Sequence, residues 1–132
     1  MRTTIRQEIV GFVNAAFKAA YPAVPIVYEN QPFDLNSAPD VYVELEVKVY
    51  AGHQISLGSK KTRYSGFIYT TVYTKEGKGT VESLQILDWL ANKIGYANLG
   101  VTQVQAPSPE EGPQLKSWHT EEMKFAFFAD TP

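Results

Sequence analysis

An α+β fold, a mostly antiparallel sheet with two helices packed on one face, follows from three observations on this chain. Residues 3–20 and 80–94 carry apolar side chains at helical spacing. Val41, Val43, Leu45, Val47 and Val49 alternate with Tyr42, Glu44, Glu46, Lys48 and Tyr50, the period of a strand with one wet face. Residues 64–74 are strand-like but bulky on both sides, with Phe67, Tyr69 and Tyr73 on one and Tyr64, Ile68 and Val72 on the other. Such a strand sits centrally in a sheet or lies under a partner.

The first helix places Ile5, Ile9, Phe12, Val13, Ala16, Phe17 and Ala20 on its core face. Gln7, Gly11, Asn14 and Lys18 fall on the other face. Thr3 or Thr4 is expected to cap its start by accepting a bond from a free N–H. Pro22 ends it, because the residue before a proline is pushed out of the α region. A short strand at residues 26–28 precedes a loop over 29–40, whose turn chemistry comes from Asn30, Pro32, Asn36, Pro39 and Asp40. Past the alternating strand, Ala51-Gly52-His53 turns the chain and a weaker strand covers residues 54–60. The turn Lys75-Glu76-Gly77-Lys78-Gly79 opens into the second helix, with Thr80 as its N-cap and Gly95 as a left-handed C-cap. Val81, Leu84, Leu87, Ala91 and Ile94 form the expected core stripe of that helix. A short strand at 101–105, a Pro- and Glu-rich loop at 106–112 and a closing strand at 118–129 complete the order α-β-β-β-β-α-β-β.

A length of 132 residues suits one domain, spanning residues 1–132. A net charge of −2 creates no field that would collect nucleic acid from solution. The absence of cysteine excludes a disulfide framework and thiolate zinc sites. No run approaches the roughly 20 apolar residues that span a bilayer. Arg2, Arg6 and Glu8 interrupt any signal-peptide core, so the chain reads as intracellular and soluble.

No residue pattern in the sequence marks a catalytic residue, cofactor site or metal site. His53 and His119 have no helix-spaced partner ligand and read as two partly exposed imidazoles. Gly77-Lys78-Gly79 precedes a helix but lacks the spacing of a phosphate loop, so a turn followed by the Thr80 cap is the better reading. Glu44 and Glu46 share a solvated strand face. Lys60, Lys61 and Arg63 make a small basic knot without interleaved stacking aromatics, which reads as a solvated turn. Two apolar residues are out of place: Ile86 and Trp89 fall on the helix side shared by Glu82 and Lys93. Either a partner covers them or the loop at 106–117 folds over them.

Three segments then carry a family likeness. They are Glu29-Asn30-Gln31-Pro32-Phe33 followed by the strand from Val41 to Leu45, then Gly66-Phe67-Ile68-Tyr69-Thr70-Thr71-Val72-Tyr73 ending in Gly77-Lys78-Gly79 before a helix, and the closing Trp118 to Phe127 strand after a Pro/Gly loop. In that order, with the N-terminal helix, they resemble the tail terminator (tail completion) proteins of long-tailed bacteriophages. Asp34-Leu35-Asn36-Ser37-Ala38-Pro39 departs from the usual proline-rich stretch after Phe33.

The resemblance implies an α+β subunit of a six-membered ring that caps the finished tail tube and offers a surface to the head connector. It implies a virion protein assembled in the bacterial cytoplasm, with no reaction and no cofactor. Its partners would be itself, the tube protein and the connector, with genomic DNA passing through unread. Trp89, Ile86 and the strand edges become candidate subunit contacts. Asn30, Pro32, Phe33, Tyr69, Tyr73, Lys60, Lys61 and Arg63 become candidate contacts with a subunit or partner. Another neck protein of the same particle, or a small ligand-binding domain or enzyme with a pocket between sheet and helices, are the other classes open to this sequence.

Overall fold

The computed structural model describes residues 1–29, 40–50, 52–55, 58, 60–77, 81–113 and 117–131. Helix α1 is Arg2–Ala20 and α2 is Val81–Ile94. The strands are β1 Ile26–Tyr28, β2 Val41–Val49, β3 His53–Gln54, β4 Thr62–Lys75, β5 Thr102–Glu110 and β6 Trp118–Asp130. The element order is the one read from the sequence.

Strand β4 organises the sheet. It pairs with β6 from Arg63 to Lys75, with β2 from Gly66 to Thr74, and with the two residues of β3 beyond the end of β2. The sheet order is β1-β2-β4-β6-β5, antiparallel except for the parallel β1–β2 pair. A central strand packed on one face needs bulk on that face, which Ile68 and Val72 supply; the bulk on the other face of residues 64–74 has no helix layer among the described residues to account for it.

Both helices lie on one face. Ile5, Ile9, Val13 and Phe17 of α1 and Ile86, Leu87, Leu90 and Ile94 of α2 share one core with Val43, Leu45, Ile68, Val72, Phe125 and Phe127 of the sheet. Polar contacts fix α1 at both flanks. The Glu8 carboxylate accepts from Val101 N (3.2 Å), Thr102 N (3.1 Å) and Thr102 Oγ1 (2.9 Å), which ties α1 to the start of β5. Gly100, at φ +98°, lies against that carboxylate, where a Cβ would collide with it. On the other flank Arg6 pairs with Glu29, and the Tyr28 hydroxyl donates to Asn14 at 2.7 Å.

Several local expectations are corrected. Thr3 and Thr4 lie inside α1, which starts from Met1 without a side-chain cap. His53 is in a strand and not a turn, and the strand there spans only two residues. The positive φ after α2 belongs to Tyr96, at 61°, and not to Gly95. Gly95 is needed for a different reason, since a Cβ there would sit 2.6 Å from the Ala91 carbonyl oxygen. The Pro/Glu stretch at 106–110 is strand and not loop, with a register shift between Val104 and Pro107. β5 is an edge strand, so Pro107 and Pro109 can sit where no outer ladder bond is required. The Thr80 cap lies outside the described residues.

The α2 core stripe is also shifted. Ser83, Ile86, Leu87, Leu90 and Ile94 are buried, while Val81 and Leu84 are 68% and 44% exposed. Two apolar stripes compete on this helix and share Leu87 and Ile94. The one containing Ile86 and Leu90 faces both the sheet and α1, so it buries more apolar surface.

Gly66 marks the tightest approach in the sheet, where a Cβ would drive into the Lys48 carbonyl and the Phe127 ring. Gly66→Ala is expected to cost at least about 2 kcal/mol by forcing β2 away from β4. A urea melt reads this directly, and an unchanged midpoint would contradict the packing.

Candidate assembly surface

Among the described residues the second face of the sheet has no helix layer, although Tyr42, Thr71 and Tyr73 at one end of it are buried. Its side chains alternate with the core residues along each strand: Glu44, Glu46 and Lys48 on β2, Phe67, Tyr69, Thr71 and Tyr73 on β4, and Glu122, Lys124 and Phe128 on β6. An antiparallel sheet open to water on one side usually carries polar residues there. This one carries a run of rings. Tyr50 meets Phe67 edge-on at 6.0 Å, and Phe67 lies 6.1 Å from Tyr69. Cations cover the same rings, with Lys124 4.7 Å from the Phe67 centroid, Lys48 5.5 Å from Tyr69, and Arg63 4.3 Å from Phe128. At one end Tyr42 and Tyr73 stack at 4.5 Å, and Trp118 packs edge-on against Tyr42.

The half of this face toward the start of β2 and β6 is acidic. Glu44, Thr71 and Glu122 are cross-strand neighbours, and Glu110 lies opposite Glu122. The Thr71 hydroxyl donates to Glu122 at 3.0 Å and the Tyr73 hydroxyl to Glu44 at 3.4 Å. Lys48 pairs with Glu46 and Lys124 with Glu110. Burial, and then the charges of Glu46, Glu122 and Glu29, push the Glu44 carboxyl above its ordinary value against the pull of the Tyr73 hydroxyl. Burial and the neighbouring Glu44 push the Tyr42 phenol up to about 12. Tyr73 is pushed up by the same two causes, burial first.

The sequence-predicted residues are scattered across the molecule. Ile86 is fully enclosed in the core and offers nothing to a surface. Trp89 is half-buried between the helices, its ring 5.7 Å from those of Phe17 and Tyr21. It is therefore covered in part by α1 and the residue that ends it. Tyr73 is 5% exposed, whereas Tyr69 is half-buried on the open face. Asn30, Pro32 and Phe33 lie outside the described residues. Their neighbour Glu29 is anchored by Arg6. Arg63 is held by Asp130 through two hydrogen bonds of 2.7 and 3.0 Å, while Lys60 and Lys61 are exposed at the far end of the sheet.

His53 sits opposite Arg63 and His119 opposite Thr74, eleven residues apart along β4. At strand rise that is about 36 Å, so the two imidazoles are not brought together. His119 contacts Glu121 at 2.9 Å in a recess of about 320 Å³ lined by Glu110, Glu111, Gly112, Pro113, Trp118 and Thr120. That recess is rimmed by carboxylates and is not the apolar cleft an enzyme reading would call for.

The strand edges are unequal. On β5 the prolines at 107 and 109 and the register shift break the row of N–H donors that an added strand would need. The β1 edge is three residues long. Sequence reasoning missed the Tyr50, Phe67 and Phe128 rings as a surface. The alternation at residues 41–50 signals which side chains share a face, but nothing in it says that the helices would leave that face bare.

A family model described as phage tail terminator protein matches residues 8–120. No curated protein matches the chain. Three solved chains match. One of them, whose name states no function, superposes with a TM-score of 0.72 over 98% of this chain and 95% of its own, at 21% identity. That likeness speaks for the fold alone.

Trp89→Ala is expected to lower folding stability by about 2–4 kcal/mol by opening the α1–α2 seam. Thermal and urea melts measure it, and an unchanged stability would place the ring outside that seam. Glu44 titrates higher folded than unfolded, so its contribution is favourable below about pH 4.3, the ordinary glutamate value, and is lost as pH rises through the folded value. Glu44→Gln is therefore expected to be more stable than wild type at neutral pH, with the difference vanishing in mild acid. Melts at two pH values test the sign.

Proposed function

Because the chain belongs to the phage tail terminator protein family, we propose that copies of it close into a ring of six at the end of the tail tube. The ring stops further tube subunits from adding and leaves a surface on which the head connector docks. Genomic DNA passes through the ring without being read, in keeping with a net charge of −2. The protein works by contact, as part of the virion.

The observation that carries this reading is the sheet face on which the described residues place no helix layer. A two-layer α+β subunit that places Tyr50, Phe67, Tyr69 and Phe128 on its unlayered side has the aromatic composition of a contact surface. The cations over those rings keep the face soluble while it is unoccupied. Such a face suits the end of a tube, where the rings bury against protein and the charges move to the rim.

The test is direct. Purified protein is mixed with tail tubes, and the capped fraction and tube length are counted by electron microscopy, with native mass followed by light scattering. Phe67→Ala/Tyr69→Ala is expected to weaken capping by about 30-fold, the loss typical of two central aromatic anchors. A double variant that caps like wild type would remove the bare face from the assembly. A protein that stays monomeric and leaves tubes uncapped would overturn the terminator reading itself.

A further inference from the structure

Charge is segregated along the strands. From residue 47 to residue 75 the sequence contains no Asp or Glu, but it holds Lys48, Lys60, Lys61, Arg63 and Lys75. The fold puts Lys60, Lys61 and Arg63 at the β3 end of the sheet. Asp130 lies beside them, hydrogen-bonded by Arg63 and held down as well by the charge of Lys61, so the end keeps more cations than carboxylates among the described residues. The opposite end gathers Asp40, Glu44, Glu76, Glu110, Glu121 and Glu122, where β2 and β6 start and β4 and β5 finish. Lys75 and Lys124 answer Asp40 and Glu110 there. The groups acting on Glu44 include three further carboxylates and no cation. Strand geometry separates the two ends by about 30 Å. They are opposite sides of the subunit.

We propose that neighbouring copies in the ring meet end to end along the strand direction, the carboxylate end of one sheet against the lysine turn of the next. This rests on the ring reading above. A ring needs a heterologous interface made of two different, complementary patches on opposed sides of each subunit. The two ends supply that pair within one chain. Strand addition is the weaker route, because the prolines of β5 interrupt its open edge. The end-to-end contact leaves the aromatic face free for the tube.

Two variants test this. Lys60→Glu/Lys61→Glu makes both ends acidic, and Glu76→Lys/Glu110→Lys/Glu121→Lys makes both ends basic. Each alone is expected to associate at least about tenfold more weakly than wild type while melting at a similar temperature. Mixed in equal amounts they are expected to assemble again, as an alternating ring with an even number of subunits. Wild-type association is expected to weaken with salt up to about 1 M, where screening acts within about 3 Å. If the ring forms only on tubes, the same variants are scored by capping, with the mixture capping and neither variant doing so alone. Rings or caps formed equally well by each variant, or indifferent to salt, would overturn the contact and leave the terminator reading standing. A wild type that neither forms rings nor caps tubes would sink both.

Discussion

The structure depends on the backbone pairing of one strand, Thr62–Lys75. It holds β2 and β3 on one edge and β6 on the other, so every sheet element except the outermost pair is registered against it. A one-residue slip in this strand would turn each core residue to the other face. Gly66 admits the Lys48 carbonyl and the Phe127 ring at the point where the pairing is tightest. Ile68 and Val72 then point into the helix-covered core, and Phe67 and Tyr69 point away from it.

From that registration comes the asymmetry of the two faces. Both helices are drawn to one side, since Ile5, Ile9, Val13 and Phe17 can be buried only against apolar strand residues and α2. Trp89 closes the seam between the helices, and Glu8 and Arg6 pin α1 to opposite flanks of the sheet. With the helix-forming segments committed to one side, the described residues provide no second layer for the other. Rings, lysines and carboxylates remain on it, covering one another. The raised titration of Glu44 is a local sign of this crowding, as burial and the like charges of Glu46, Glu122 and Glu29 act together.

The same registration sorts charge. Lys60, Lys61 and Arg63 gather at one end of the sheet, and the glutamates of β2, β5 and β6 converge toward the other. The chain's small net charge conceals this, because it sums two ends of opposite sign. Prolines on the β5 edge complete the picture, since they interrupt backbone recognition there and favour side-chain contacts elsewhere.

Much of the fold was legible because it rests on local periodicity. The alternation at residues 41–49, the bulk on both faces of residues 64–74 and the two helical stripes each report which side chains must leave water. The family motifs were legible for a related reason, as turn residues and strand patterns are local. What failed needed neighbours. On α2, Val81 and Leu84 fit a helical stripe as well as Ile86 and Leu90 do, and only the way the helix lies on the sheet decides which stripe is buried. Pro107 and Pro109 look like loop until an edge position makes their missing donors harmless. The candidate surface was the least legible part, since Phe67 and Tyr69 are equally good core residues in the sequence. By itself the sequence determined the elements, their order and the family, because these follow from short-range patterns. The tertiary structure alone decided which face the helices cover and where charge collected, because both depend on how distant segments share a single core.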